Sequence, residues 1–217
     1  MNQVKTTSAV TERPRGRPMD TGQQDLKEQI LDTAEQLFTD QGYAGTSIRS
    51  IAETAGVNPA LVHYYFGNKH ALLENVLQRT LAPMAGALAT LKENETTSVD
   101  DIVGLLITMA AEHPNIPRLL TREVLLPGGE MQDYFIEHLA PQLGGALPPL
   151  LIQEKAKGKL HGNLDPAYAS LLILAVCIFP FIARSLAEPV LGIDFSARGT
   201  ETLTQHVKDL LNRGMTR

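Results

Sequence analysis

The sequence predicts an all-α protein: an N-terminal three-helix unit containing a helix–turn–helix, followed by a larger helical domain. Three observations predict it. Between Thr46 and Lys69, two short segments with apolar stripes flank a glycine turn. Elsewhere, apolar residues recur at helical spacing behind side chains that suit N-caps. Near the C-terminus, a twelve-residue apolar run from Leu171 to Ile182 follows an Asp–Pro helix start. The expected organisation is a disordered basic arm over residues 1–24, the helix–turn–helix unit over 25–73 and a further helical domain over 74–217.

The first helix is expected from about Gln23 to Gln41, with Leu26, Ile30, Ala34, Leu37 and Phe38 inward and Gly42 ending it. Thr46 and Ser47 can cap the second helix, because their hydroxyls accept bonds from free backbone amides. Ile48, Ile51, Ala52 and Ala55 share its inner face. Gly56 suits a turn that needs positive φ, and Val57 is an apolar plug beneath it. Asn58 is a good N-cap, and Pro59 fits the first helical position, where a missing N–H costs little. The third helix runs from Pro59 to about Phe66, with Val62 and Phe66 inward. Ala60, Leu61, His63, Tyr64 and Tyr65 fall on its outer face and edges.

The fourth helix begins near Asn68, turns Leu72, Leu73, Val76 and Leu77 inward and is expected to bend at Pro83. After a polar stretch from Lys92 to Thr97, Ser98 and Asp101 resemble a capping box for a helix from Val99 to Glu112. Pro114 and Pro117 punctuate the next junction. A short helix from Pro117 to Leu126 stops at Pro127-Gly128-Gly129. One longer helix from about Glu130 to Lys157 is expected to break or kink near Pro141, Gly144, Gly145, Pro148 and Pro149. Asp165–Pro166 opens a helix reaching about Ala187. It is apolar nearly all round and so is expected to be buried on several sides. The last helix, Ala197 to Asn212, aligns Leu203, Val207, Leu210 and Leu211 on one stripe.

Two short helices across a tight turn are the geometry by which a protein lays a helix into the major groove of DNA. A helical hairpin inside a bundle shares that spacing, but the local chemistry favours an interface. Ala60, Leu61 and Val62 permit close approach to a surface, the tyrosine pair offers hydroxyl donors, and the Lys69 ammonium could meet a phosphate. The pattern Ile30, Ala34, Leu37, Phe38, Gly42, Tyr43, Thr46, Ile48, Ile51, Ala52, Ala55, Gly56, Val57, Tyr64, Tyr65, Phe66, Lys69 and Leu72 spans about Asp25 to Leu73. It resembles the DNA-binding domain of the TetR family of bacterial transcriptional regulators.

That resemblance implies an all-helical, dimeric and usually repressive regulator of a double-stranded DNA operator, whose C-terminal domain senses a small molecule. Residues 74–217 would then be the regulatory and dimerisation domain. Thr46, Tyr64, Tyr65 and Lys69 are expected to grip the DNA backbone, and Arg49, Ala60, Leu61 and His63 to read bases. His63 stands where the family often has another tyrosine, and Ala60 and Leu61 where glycine, serine or threonine is common. The operator preference should therefore be this chain's own. In the family the final two long helices pack against the same pair of a second subunit, implying a homodimer through about residues 165–187 and 197–212. For an unknown effector, His113, Arg122, Tyr134, Tyr168 and Arg184 are polar groups among apolar ones that could orient a ligand. Arg122 or Arg184 could meet an anionic group.

Composition sets the bounds. The 217 residues, 43% apolar, suit an ordinary globular chain. The net charge of −5 argues against a generic nucleic-acid binder. Residues 1–19 carry a net +3 and residues 20–70 a net −4, so the DNA face must rely on a few placed cations and on backbone amides. One cysteine, Cys177, excludes an intrachain disulfide and suits a reducing cytoplasm. It reads as a small core residue. The N-terminus shows no apolar signal region, and the longest apolar run is shorter than the roughly 20 residues a bilayer requires. A cytoplasmic protein without a membrane span is expected. No His pair stands at i, i+4 with an acid, there is no Cys–His cluster, and His161 lies in a glycine turn and His70 at a helix start. Hence no metal, cofactor or catalytic activity is expected. A constitutive regulator or an activator of the same fold is the alternative.

Ahead of the helices, Arg13-Pro14-Arg15-Gly16-Arg17-Pro18 contains a Pro-Arg-Gly-Arg-Pro core that resembles an AT-hook. Glycine lets such a backbone sit deep while arginines enter a narrow A·T minor groove. Deleting residues 1–18 should weaken DNA binding and lower the slope of log affinity against log salt by about three, one per arginine. A titration across salt concentrations checks this, and an unchanged slope would remove the arm from the interface.

Overall fold

The computed structural model describes residues 21–94 and 96–216. Arg13, Arg15 and Arg17, expected to contact a minor groove, lie outside the described residues. Helix α1 (Thr21–Gly45) starts earlier than expected, so residues 21–24, read as part of the arm, are its first turn. At Gly42 the backbone leaves helical geometry (φ 75, ψ 170) and resumes for one further turn. Helix α2 (Ile48–Thr54) is capped by Ser47, whose hydroxyl accepts from the Ser50 N–H while the Ser50 hydroxyl accepts from the Ser47 N–H. Thr46, the other expected cap, is buried instead. Its hydroxyl oxygen lies 2.8 Å from the Gly42 carbonyl oxygen and 3.2 Å from that of Leu37.

Gly56 turns the chain at φ 66. Helix α3 (Pro59–Phe66) then begins, with the Asn58 side chain accepting from the Ala60 N–H at 2.9 Å. Val62 and Phe66 are buried with Ile30, Ala34, Phe38, Ile51 and Ala52, so the three short helices share one apolar centre. Helix α4 (Lys69–Glu93) leaves this centre and runs unbroken through Pro83. Pro83 itself is exposed.

Helix α5 (Val99–Glu112) carries the expected capping box, with the Asp101 carboxylate accepting from the Ser98 N–H at 2.8 Å. Helix α6 (Asn115–Leu120) continues as a π-helical turn, Thr121–Leu125, closed by the Leu126 N–H on the Thr121 carbonyl. The expected long rod over 130–157 is a chain of short pieces. These are α7 (Gln132–Tyr134), a π-helical turn Phe135–Leu139, two 3₁₀ turns at Ala140–Gln142 and Gly144–Ala146, and helix α8 (Leu147–Ala156). Pro141 removes a helix donor, and Leu143 (φ −108, ψ −108) turns the chain out of helical geometry.

Helix α9 (Pro166–Ile182) opens on the Asp165 cap as expected but does not reach Ala187. At Ala183 it bends by 74° into α10 (Arg184–Leu191). Phe181 meets Phe195 edge-on at 5.6 Å, and the Arg184 guanidinium lies 5.2 Å from the Phe195 ring, so the bend closes on one aromatic anchor. Helix α11 (Ala197–Met215) ends the described chain. Helix α5 lies between α4, α9 and α11; α8 packs on α9, and α6 joins α1 to α9. Contrary to expectation, α9 is buried on only one stripe, Ala169, Ser170, Ile173, Cys177 and Phe181. Leu210 of α11 faces outward, away from Val207 and Leu211. Burial pushes the Cys177 thiol up to about 12, which leaves it protonated and unreactive. Among the described residues all regular elements are helical, with one isolated bridge between Leu160 and Thr216, and no single helix is long and apolar enough to cross a membrane.

The pivot at Gly42 admits no side chain. Its φ and ψ belong to a region essentially restricted to glycine, and a Cβ there would strike the Arg122 guanidinium. Gly42→Ala should destabilise the fold by about 1–3 kcal/mol, read as a drop of several degrees in Tm by calorimetry.

Candidate nucleic-acid interface

The outer face of α3 is set by its buried one. With Val62 and Phe66 inward, Ala60, His63 and Tyr64 are exposed and Leu61 and Tyr65 half-buried at the edges. Tyr64 is 78% exposed, and its ring meets Tyr65 edge-on at 5.3 Å. A tyrosine this exposed beside small residues presents an apolar body and a hydroxyl donor, the composition of a contact surface. On α2, Arg49 is exposed, and its Nε donates to Glu53 at 2.8 Å, one turn away. The fold therefore brings Arg49, Ala60, Leu61, His63, Tyr64 and Tyr65 to the outside of one compact unit.

Two expected backbone grips have structural work instead. Thr46 is buried, as described above. The Lys69 ammonium turns inward, donating to the Tyr43 carbonyl at 2.8 Å and the Thr46 carbonyl at 2.9 Å, and it lies 3.9 Å from the Tyr43 ring centre. The chain from Tyr43 to Thr46 directs these carbonyls toward the start of α4, where a cation satisfies them better than water would. From the opposite side, the buried Glu123 carboxylate accepts the Tyr43 N–H at 2.9 Å. Burial first, then the Glu130 and Glu123 carboxylates, hold the Tyr43 phenol above its ordinary range, so it stays neutral.

A second junction lies along α1. The Arg79 guanidinium of α4 meets Glu28 at 3.1 Å, Asp32 at 2.7 Å and Glu35 at 3.1 Å. Glu35 also accepts from the Thr80 hydroxyl at 3.0 Å and the Asn115 amide at 3.3 Å, so one carboxylate ties α1, α4 and the start of α6. Sequence reasoning missed this cluster and the partner of Glu123. The signal for the cluster was present, since Glu28, Asp32 and Glu35 fall on one helical stripe. Glu123 had none, because its partner is a backbone N–H eighty residues away.

The five candidate ligand residues do not converge. His113 ends α5 half-buried, and Tyr168 is 72% exposed on α9. Arg122 donates to the Asp40 carbonyl at 3.2 Å, and Arg184 pairs with Glu188 at 2.9 Å. They are scattered because each sits on a different helix, facing a different neighbour. Tyr134 touches two residues that line a cavity, its hydroxyl accepting from Gln78 at 2.6 Å and its ring stacked on His138 at 4.6 Å. That cavity, about 240 Å³, lies between α4 and the broken segment, lined by Gln78, Leu81, Ala85, His138, Leu139 and Gln142. Among the described residues no group of His, Cys, Asp and Glu could hold a metal ion.

Residues 30–76 match the profile described as bacterial regulatory proteins of the tetR family, and residues 96–211, more than half of the chain, match the tetracyclin repressor-like C-terminal domain. The chain belongs to the TetR family. It is a DNA-binding regulator of transcription rather than an enzyme. It is 26% identical to the HTH-type transcriptional repressor NicS of Pseudomonas putida, across 88% of this chain and 92% of NicS. Its fold is similar to that of the ketosteroid transcriptional regulator KstR2 of Mycobacterium tuberculosis (TM-score 0.70, 15% identity, 94% of this chain and 100% of KstR2). It is also similar to SmeT in its triclosan complex (TM-score 0.69, 20% identity, 89% and 92%).

In this TetR-family chain the inward Lys69 has a testable signature. Lys69→Met should lower stability by about 1–2 kcal/mol, toward the low end for hydrogen bonds to charged groups because the group is only half-buried. It should also leave the salt slope of DNA binding unchanged. Chemical denaturation and a salt titration check the two halves, and a slope reduced by about one would return Lys69 to the phosphate.

Proposed function

We propose that this protein is a repressor that binds a palindromic operator as a homodimer and releases it when a small molecule binds. The observation that carries the reading is the hydrogen bond that the Tyr43 N–H donates to the Glu123 carboxylate. It ties the turn after α6 to the backbone at the root of the DNA-reading unit, so a ligand that shifts that turn changes how α3 is held. Helix α3 enters the major groove, with Arg49, Ala60, Leu61 and His63 reading bases and Tyr64 and Tyr65 on the backbone. The arginines of the N-terminal arm enter the flanking minor groove.

The dimer reading is supported by what the single chain leaves uncovered. Tyr168, Leu172 and Phe179 form an exposed stripe on α9, and Leu210 is 61% exposed on α11. Contiguous exposed apolar surface of this kind marks an interaction site. A twofold axis through α9 and α11 presents two α3 helices to half-sites one helical turn apart or a multiple of it.

The cavity between α4 and residues 138–143 is the site we assign to the effector, and triclosan bound to the similar SmeT is a precedent for a small molecule in this fold. Release needs only that the ligand bind the non-operator arrangement better. Coupling of this kind is typically about 1–3 kcal/mol, or roughly 5- to 150-fold in affinity.

A gel shift with the DNA upstream of the protein's own gene tests the reading. The wild type should shift it as a dimer. Phe179→Glu should sediment as a monomer and lose at least about tenfold in affinity, since one reading helix then binds without its partner. A wild type that is monomeric at micromolar concentration, or that binds upstream and unrelated DNA equally, would refute it. Operator affinity indifferent to every ligand tried would leave a constitutive regulator.

A further inference from the structure

His63 is the outward residue of α3 whose ring is held in a fixed state. Its Nδ1 lies 2.7 Å from the Gly67 carbonyl oxygen. A carbonyl oxygen only accepts, so Nδ1 carries the proton. In a neutral imidazole the other nitrogen then has no hydrogen, and Nε2 is a bare acceptor. The lock is built by the backbone. Gly67 adopts φ 77 and ψ −70, a γ-turn of the rare positive-φ kind, closed by the Asn68 N–H on the Phe66 carbonyl at 2.9 Å. The Gly67 N–H in turn donates to the His63 carbonyl at 2.8 Å. Residue 63 thus binds both the donor and the acceptor of Gly67, and the turn holds the carbonyl against the ring.

In the major groove, adenine presents the N6 amino group and cytosine the N4 amino group as hydrogen-bond donors, while N7, O6 and O4 only accept. We propose that His63 is a specificity-determining residue that reads DNA as an acceptor: its Nε2 selects one exocyclic amino group, adenine N6 or cytosine N4, in each half-site. This rests on the placement of α3 in the major groove. A tyrosine or serine at this position carries a hydroxyl that both donates and accepts, and so would not impose the same restriction.

Two measurements on the full chain separate the tautomer from the reading. The first is a long-range ¹H–¹⁵N correlation spectrum of labelled protein at about pH 8.5, well above the ordinary imidazole range, with His63 assigned by loss of its signals in His63→Gln. Nδ1 should be protonated and Nε2 bare. A proton on Nε2 would overturn the proposal even if α3 reads DNA. The second starts from a duplex selected by the protein from a random pool. Each adenine or cytosine of a half-site is replaced singly by N6-methyladenine or N4-methylcytosine, which keep base pairing but replace the groove-facing amino hydrogen with a methyl group. One position should lose about tenfold in wild-type affinity, the scale of one good hydrogen bond, and less than about twofold in His63→Ala. Binding of both proteins to unrelated DNA serves as the folding control. Equal losses in both proteins, or no sensitive position, would overturn the acceptor role. A pool from which nothing is retained would overturn the α3 reading itself, and the proposal with it.

Discussion

Tyr43 is gripped at both ends of its backbone. The Glu123 carboxylate takes its N–H and the Lys69 ammonium takes its carbonyl, with the same ammonium reaching Thr46. This short stretch makes only one further turn past the break in α1 at Gly42, in which the Thr46 N–H donates to the Tyr43 carbonyl at 3.2 Å. An anion and a cation from distant parts of the chain add further partners. The position of α2 relative to α1, and therefore of α3, depends on that arrangement. Removing Glu123 would take the acceptor from the Tyr43 N–H, and removing Lys69 would take a donor from the Tyr43 and Thr46 carbonyls, at the point where the reading unit joins the rest of the molecule.

The Arg79 cluster serves the same end from the other side of α1. Three carboxylates on one stripe would repel one another on an isolated helix. Around a single guanidinium they become a seam that joins α1 to α4 and, through Glu35, to Asn115 at the start of α6. The acidic surplus of residues 20–70, which looks unfavourable for a DNA-binding unit, is thus partly consumed in fixing that unit to α4. Both junctions pass through the region of α6 and its π-helical turn.

Much of the DNA-reading unit was legible in the sequence. The bounds of α3, the caps at Ser47 and Asn58, and the inward Val62 and Phe66 all follow from residues within one or two turns of each other. The capping box at Ser98 and Asp101 was legible for the same reason. Side-chain roles were less secure. Thr46 and Lys69 read as DNA contacts because each is polar at the edge of the motif, yet both bond to carbonyls that only the folded chain brings near. The candidate ligand residues do not converge, because being polar within apolar stretches does not say which helix faces which.

Local chemistry, acting over a few residues, determined the helical class, the helix–turn–helix and which face of α3 looks outward. That physics is short-ranged, so the chain itself carries it. Only the tertiary structure decided that α9 bends at Ala183 onto Phe195, that residues 130–146 break into π and 3₁₀ turns, and that Glu123 reaches Tyr43. Each of these depends on a partner far away in sequence. The periodicity of a segment tells which residues want burial but not what will bury them, and a buried charge declares its partner only once the backbone around it is in place.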